Sequence, residues 1–234
     1  MAIDRFSLRK NPHLLFHKSL GTGAGETFTP SDADLLTWAL IIHSDGEYKE
    51  LDQITSVKSW RRFAISEELF ELSPIASHGN WAGRPRFSLT ESSPSATLWK
   101  GEVATITRAR ISWRQNLRFW RSVPAVTRSL HSAEGLIQAI GIGEAPIGLQ
   151  GTFSHWRSQE DLRAFAYRTS AHQEAIEKTE RFQWYSEELF ARFAVLDRHH
   201  VNLAQRQRTQ HQPQRLKRQH HGQPNLQRCR HLEP

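Results

Sequence analysis

A single cysteine, Cys229, occurs in the 234 residues, and it sits close to the C-terminus. Disulfides, Cys-ligated zinc, iron–sulfur clusters and thiolate-ligated haem are therefore excluded from the body of the chain. Any metal there must rest on His, carboxylate or Tyr, and Tyr is scarce, at Tyr48, Tyr167 and Tyr185. Long apolar runs are missing too: the longest, residues 35–42, is about half of what a transmembrane helix needs. The first twelve residues alternate charged and apolar side chains without a signal-peptide core, so the chain reads as cytoplasmic. No His-Glu-x-x-His, no Gly-x-Ser-x-Gly and no paired-carboxylate constellation is visible, which leaves hydrolase chemistry without a foothold.

The body also lacks net charge. Residues 1–197 contain 23 basic and 23 acidic side chains, while residues 198–234 contain 8 basic and 1 acidic, so the whole +7 belongs to the tail. With hydrophobic residues at 38% and charged residues at 24%, the body falls among soluble globular chains. The tail is rich in Gln, His and Arg, is broken by Pro213 and Pro224, and is too poor in apolar residues to offset chain entropy. Residues 198–234 are expected to be a disordered basic tail. Lacking any aromatic residue to stack on a base, it reads as a passive extension, and no specific nucleic-acid partner is expected.

Element order is clearest after residue 100. Residues 103–111 form a strand-like run. Residues 113–130 carry a helical period interrupted at Pro124. Residues 136–142 and 147–156 are strand candidates, Ser158 opens a helix with Leu162 and Phe165, a further helical piece starts at Ser170, and residues 189–196 close as a strand. The order β-α-β-β-α-β is the ferredoxin-like arrangement. The earlier part repeats it incompletely, with strand candidates at 14–20 and 35–43 and a helical run over 57–72. Ser66-Glu67-Glu68-Leu69-Phe70 recurs as Ser186-Glu187-Glu188-Leu189-Phe190, and Gly23 and Gly143 keep the same 120-residue offset. We read an internal duplication. The expected fold is α+β, with duplicated ferredoxin-like modules enclosing an apolar chamber between their open sheet faces. The expected divisions are 1–72 as an incomplete module, 73–100 as a connection, 101–197 as a complete module and 198–234 as the tail.

Few motifs carry chemistry. Gly21-Thr-Gly-Ala-Gly-Glu26 lacks the third glycine of a dinucleotide fingerprint and the Gly-Lys-Ser/Thr of a phosphate loop, so it reads as a turn needing positive φ. Gly141-Ile-Gly-Glu144 reads as a connection lining a cavity. His13 and His17 share a strand face with no carboxylate nearby, and His43, His78, His131 and His155 are isolated. His172 stands apart. Ser170 and Gln173 make a capping box, which places His172 in the first helical turn, where the helix end favours the neutral, metal-binding imidazole. Ala175, Ile176, Thr179 and Phe182 share its face, so two readings stay open: a metal ligand, or a buried histidine satisfied by a backbone carbonyl.

Five unusual segments occur in one order: Leu20-Gly-Thr-Gly-Ala-Gly-Glu-Thr-Phe-Thr-Pro30, Ala76-Ser-His-Gly-Asn-Trp-Ala-Gly83, Leu117-Arg-Phe-Trp-Arg-Ser-Val-Pro124, Ile140-Gly-Ile-Gly-Glu-Ala-Pro146 and Trp184-Tyr-Ser-Glu-Glu-Leu-Phe-Ala-Arg-Phe193. Together, over residues 14–196, they resemble the spheroidene monooxygenase family of carotenoid biosynthesis. The resemblance implies modules of the dimeric α/β barrel type and a haem (iron) monooxygenase using dioxygen and reduced ferredoxin. The implied substrate is an acyclic, spheroidene-like carotenoid, oxidised to hydroxy and keto products with peripheral membrane contact. It implies His172 as the iron ligand and Arg168 as partner of a haem propionate. It also implies that the first module lacks its N-terminal strand, because Met1 falls within the family's first helix. The alternative is a non-catalytic ferredoxin-like module binding haem or an apolar ligand.

Overall fold

The computed structural model describes residues 8, 14–23, 30–44, 51, 54–111, 129–145, 149–168 and 185–204. Strands β1 (Leu14–Gly23) and β2 (Ala33–Ser44) lead to helix α1 (Thr55–Arg61) and strand β3 (Ser66–Gly79). Strands β4 (Val103–Ile111), β5 (Leu136–Gly143) and β6 (Leu149–Trp156), helix α2 (Gln159–Arg168) and strand β7 (Tyr185–Asn202) follow. Every pairing is antiparallel, in one seven-stranded sheet of order β2-β1-β5-β6-β4-β7-β3. Within it, β7-β4-β6-β5 with α2 is the ferredoxin-like order expected for residues 101–197.

The sheet curls. Gln138 of β5 donates from Nε2 to Glu68 Oε2 of β3 at 3.1 Å, and Phe70 of β3 meets Phe153 of β6 edge to face at 5.2 Å, although β6, β4 and β7 lie between β5 and β3 in the sheet. Strand alternation then sorts the side chains. Phe16, Leu20, Ile106, Ile142, Leu189, Ala191 and Phe193 pack together on the concave face. On the convex face α2 lays Leu162 and Phe165 against Trp156, Val103 and Ala194. There, too, α1 and Leu8 cover Leu14, Leu40 and Ile42. Ser158 Oγ accepts the Asp161 N–H at 3.1 Å and so caps α2 where the sequence places its start.

Two antiparallel ladders are compatible with an offset of 120 residues. In β1/β5, Gly21↔Gly143, Thr22↔Ile142 and Gly23↔Gly141 map onto themselves when i is exchanged for i+120, and in β3/β7 Leu69↔His199 maps onto Gly79↔Leu189. Among the described residues, β2 and β3 are each paired on one side only.

Four expectations change. The helical run over 57–72 ends at Arg61, and Ser66 onward is strand; apolar spacing alone did not separate the two, and pairing with β7 decides it. That strand continues to Gly79, into the stretch read as connection. Strand β7 runs past residue 197 to Asn202, because β3 offers backbone partners as far as Ser66, and Leu203 is buried; the remaining tail, 205–234, lies outside the described residues. Finally, Gly21 and Gly23 are strand residues without positive φ. Gly23 is glycine because a Cβ would stand 2.5 Å from the Asp32 carbonyl oxygen.

Gly79 does need its conformation: φ is +85°, and a Cβ would collide with the Glu188 carbonyl. Gly79→Ala is expected to cost about 2 kcal/mol or more in urea unfolding, since the left-handed penalty and the collision add; an unchanged midpoint would contradict this geometry.

Candidate active site on the concave face

Strand β4 points Ala104, Ile106 and Arg108 to the concave side, so its alternation drives a guanidinium into the core. Arg108 cannot shed its charge and its side chain is only 3% exposed, so it requires carboxylates. Two come from distant segments. Arg108 Nη2 donates to Glu144 Oε1 at 2.8 Å, and Nη1 donates to Glu187. Glu144, just after β5, also accepts Trp81 Nε1 at 2.8 Å and the Lys18 ammonium of β1. Glu187 accepts the backbone N–H groups of Gly83 at 2.6 Å and Ala82 at 3.2 Å. Arg108 Nε, also buried, has no hydrogen-bond partner among the described residues.

Burial would raise the Glu144 carboxyl, but hydrogen bonding and charge from Lys18, the Arg108 charge and the Trp81 N–H together hold it below its ordinary range. Glu187 behaves alike: burial raises it, while the Gly83 N–H, Arg108 and the Ala82 N–H bring it down further. Both stay ionised, and with Lys18 and Arg108 they form a neutral lattice.

The loop after β3 roofs this lattice. Ala82 and Gly83 have φ of +56° and +74°, and Trp81 N–H reaches Arg84 O at 2.9 Å, the geometry of a type I′ turn. Trp81 and Phe87 enter the concave core, fully and almost fully buried. Trp81 meets Phe16 edge to face at 5.3 Å and lies 5.5 Å from the Arg108 guanidinium, and Phe87 meets Phe193 at 5.1 Å. The expected apolar chamber is thus a packed aromatic face with fixed charges at one end. Phe16, Phe87 and Phe193 are only 3–6% exposed and close on one another, so the face is filled by its own rings, and the ionised carboxylate pair accepts hydrogen bonds and is a poor base.

Beside it, His43 is half-buried with its ring 5.6 Å from Phe87. Burial lowers its pKa; a backbone hydrogen bond with Arg86 opposes this and the Arg86 charge adds to it, so the imidazole is neutral near pH 7. Arg86 lies 4.7 Å over Phe16 and donates to Trp81 O, and it has no carboxylate partner among the described residues.

Of the residues singled out from the sequence, Arg168 ends α2, with its side chain outside the description, and His172 lies outside the described residues. The helical span 113–130 falls largely there too. Of the isolated histidines, His155 is fully buried with Nε2 2.7 Å from Glu102. Lys18, Trp81, Arg108, Glu144 and Glu187 were not singled out. The signal lay in the unusual segments: four of the five supply the end of β1, Trp81, Glu144 and Glu187, and those parts meet here.

No family model matches the chain. The chain is 33% identical to the spheroidene monooxygenase of Rhodobacter capsulatus over 202 residues, 84% of this chain and 81% of that protein. Against the spheroidene monooxygenase of Rubrivivax gelatinosus it is 35% identical over 187 residues, 79% and 70% of the two chains. Against that of Cereibacter sphaeroides it is 28% identical over 199 residues, 84% of this chain and 60% of the relative. Fold and site define an α+β protein of ferredoxin-like type whose curled antiparallel sheet holds a charged, aromatic-roofed concave face. The chain belongs to the spheroidene monooxygenase family.

Because both glutamates titrate below their ordinary value, their contribution to stability is present above about pH 4.5 and is lost as pH falls through the lowered values. Glu144→Leu is expected to lower unfolding free energy at pH 7 by about 3 kcal/mol, since it leaves the buried Arg108 with Glu187 alone and deprives Lys18 of its carboxylate, and to flatten the acid limb of the stability profile. A variant with parental stability at pH 7 would refute the buried lattice.

Proposed function

We propose that the chain is a haem-dependent monooxygenase that oxidises an acyclic, spheroidene-like carotenoid to hydroxy and keto products with dioxygen and reduced ferredoxin. The reading is carried by the relatives' activity together with the meeting of four family-like segments at the Glu144 lattice. Putting one oxygen atom into a C–H bond and releasing the other as water takes an electron pair and a pair of protons, hence the external reductant. Haem would supply the dioxygen-activating redox chemistry.

Among the described residues Arg86 offers a guanidinium free of carboxylates and His43 a neutral imidazole, while the aromatic rings beside them are packed on one another and leave no opening for a macrocycle. In our reading His172 holds the iron and Arg168 a propionate. The chain's own part among the described residues is to exclude water from the packed Phe16, Phe87 and Phe193 cluster and to hold Trp81 in place through Glu144. We further propose that the two halves arose by duplication, which the recurrence of Ser66–Phe70 as Ser186–Phe190 near the starts of β3 and β7 supports.

Protein expressed with haem available is expected to show an intense Soret band that His172→Ala loses and His43→Ala keeps. With reduced ferredoxin, dioxygen and spheroidene it should form products heavier by oxygen. Binding without turnover would favour the non-catalytic module, and absence of both would overturn the reading.

A further inference from the structure

One surface of the molecule breaks the ordinary rule for exposed side chains. Between Asp34, paired with Thr22, and Trp38, paired with Gly21, residues 35–37 of β2 bulge out of the β1 ladder, with Leu35 78% and Leu36 91% exposed and Trp38 facing water as well. Asp34 fixes this bulge by accepting the Leu36 N–H at 2.8 Å and the Thr37 hydroxyl at 2.6 Å, so its carboxylate is engaged within the turn. Trp38 lies 6.0 Å from Trp60 of α1, and the turn after α1 exposes Phe63 (82%) and Ile65 (74%). Large apolar groups gathered on one surface mark a site that meets another phase or partner.

Charge says which. Lys58 and Arg62 are exposed at this end of α1 without an ion-pair partner among the described residues, whereas Arg61 is engaged by Glu67. The chain also leaves the described region here: the N–H groups of Leu203 and Ala204 both bond Ile65 O, at 2.9 and 3.2 Å. Residues 205–234, with seven Lys or Arg against one Glu, therefore start beside Ile65. Leucine, isoleucine and phenylalanine in the bulge and turn, two tryptophans behind them and cations around them are the composition of an interfacial membrane anchor.

We propose that this patch docks the protein on an anionic bilayer surface. The apolar patch enters the boundary between headgroups and acyl chains, and Lys58, Arg62 and the basic segment meet the anionic headgroups. The proposal assigns a surface to the peripheral membrane contact that the family resemblance implies, and it stands or falls apart from the oxygenase reading.

The test is flotation of the full chain with carotenoid-free vesicles, either phosphatidylcholine alone or phosphatidylcholine with phosphatidylglycerol. Binding to the anionic vesicles, weakened by salt, is expected. Leu36→Glu and Phe63→Glu should each lower the partition about tenfold with unchanged thermal midpoints, since both side chains already stand in water. Lys58→Gln and Arg62→Gln should each lower the preference for anionic vesicles about fivefold. A parent that does not float, or glutamate variants that float like the parent, would overturn the proposal. So would a dimer in sedimentation that Leu36→Glu dissociates, since that assigns the patch to a second copy. A chain with no oxygenase activity should still float, so the two readings fail separately.

Discussion

A guanidinium in the middle of a sheet is the constraint around which this molecule is arranged. Strand alternation places Arg108 on the concave face, and its charge cannot be removed by titration. Both neutralising carboxylates lie far away in sequence, one after β5 and one at the start of β7. For the sheet to close over Arg108, the ends of β1, β5 and β7 must come together. The spare acceptor capacity of the two carboxylates then gathers Lys18, the Trp81 indole and the Ala82–Gly83 backbone. The strained Ala82 and the burial of Trp81 follow from that gathering, because the roof loop must turn sharply to present two N–H groups to Glu187.

This explains which parts were legible in the sequence. The second half was readable because its strands are short, bounded by turn residues and backed by a capped helix; β4 came out as Val103–Ile111, and β5 and β6 shifted by a residue or two. The first half was harder. Residues 62–72 carry apolar side chains at spacings that suit helix or strand, and the β7 partner that decides between them lies more than a hundred residues away. Gly21 and Gly23 looked like turn residues because glycine serves equally where two backbones approach closely. The lattice itself was invisible to periodicity, since its members are spread from Lys18 to Glu187 and only folding makes them neighbours. The reading of an internal repeat rested on a pentapeptide and an offset in the sequence, and the β1/β5 and β3/β7 ladders are compatible with that offset.

Division of labour between the two faces gives the fold its sense. The concave face is a packed aromatic cluster closed at one end by the Lys18, Arg108, Glu144 and Glu187 charges. The convex face is used up by α1, α2 and Leu8 in ordinary packing. Leu36, Phe63 and Ile65, among the most exposed apolar residues, lie at the β2 bulge and the turn after α1, near the exposed Lys58 and Arg62 and the point where residue 204 ends the described chain. Among the described residues no helix is long and apolar enough to cross a membrane, so contact with lipid would be made by such a surface.

The central claim is that Arg108, Glu144 and Glu187 act as one buried unit rather than as separate surface pairs. A double-mutant cycle between Arg108→Met and Glu144→Gln, read as unfolding free energies in urea at pH 7, measures this directly. The account predicts a coupling of about 1.5 kcal/mol or more, as charge-assisted bonds in a buried lattice require. Additivity to within about 0.5 kcal/mol would contradict it.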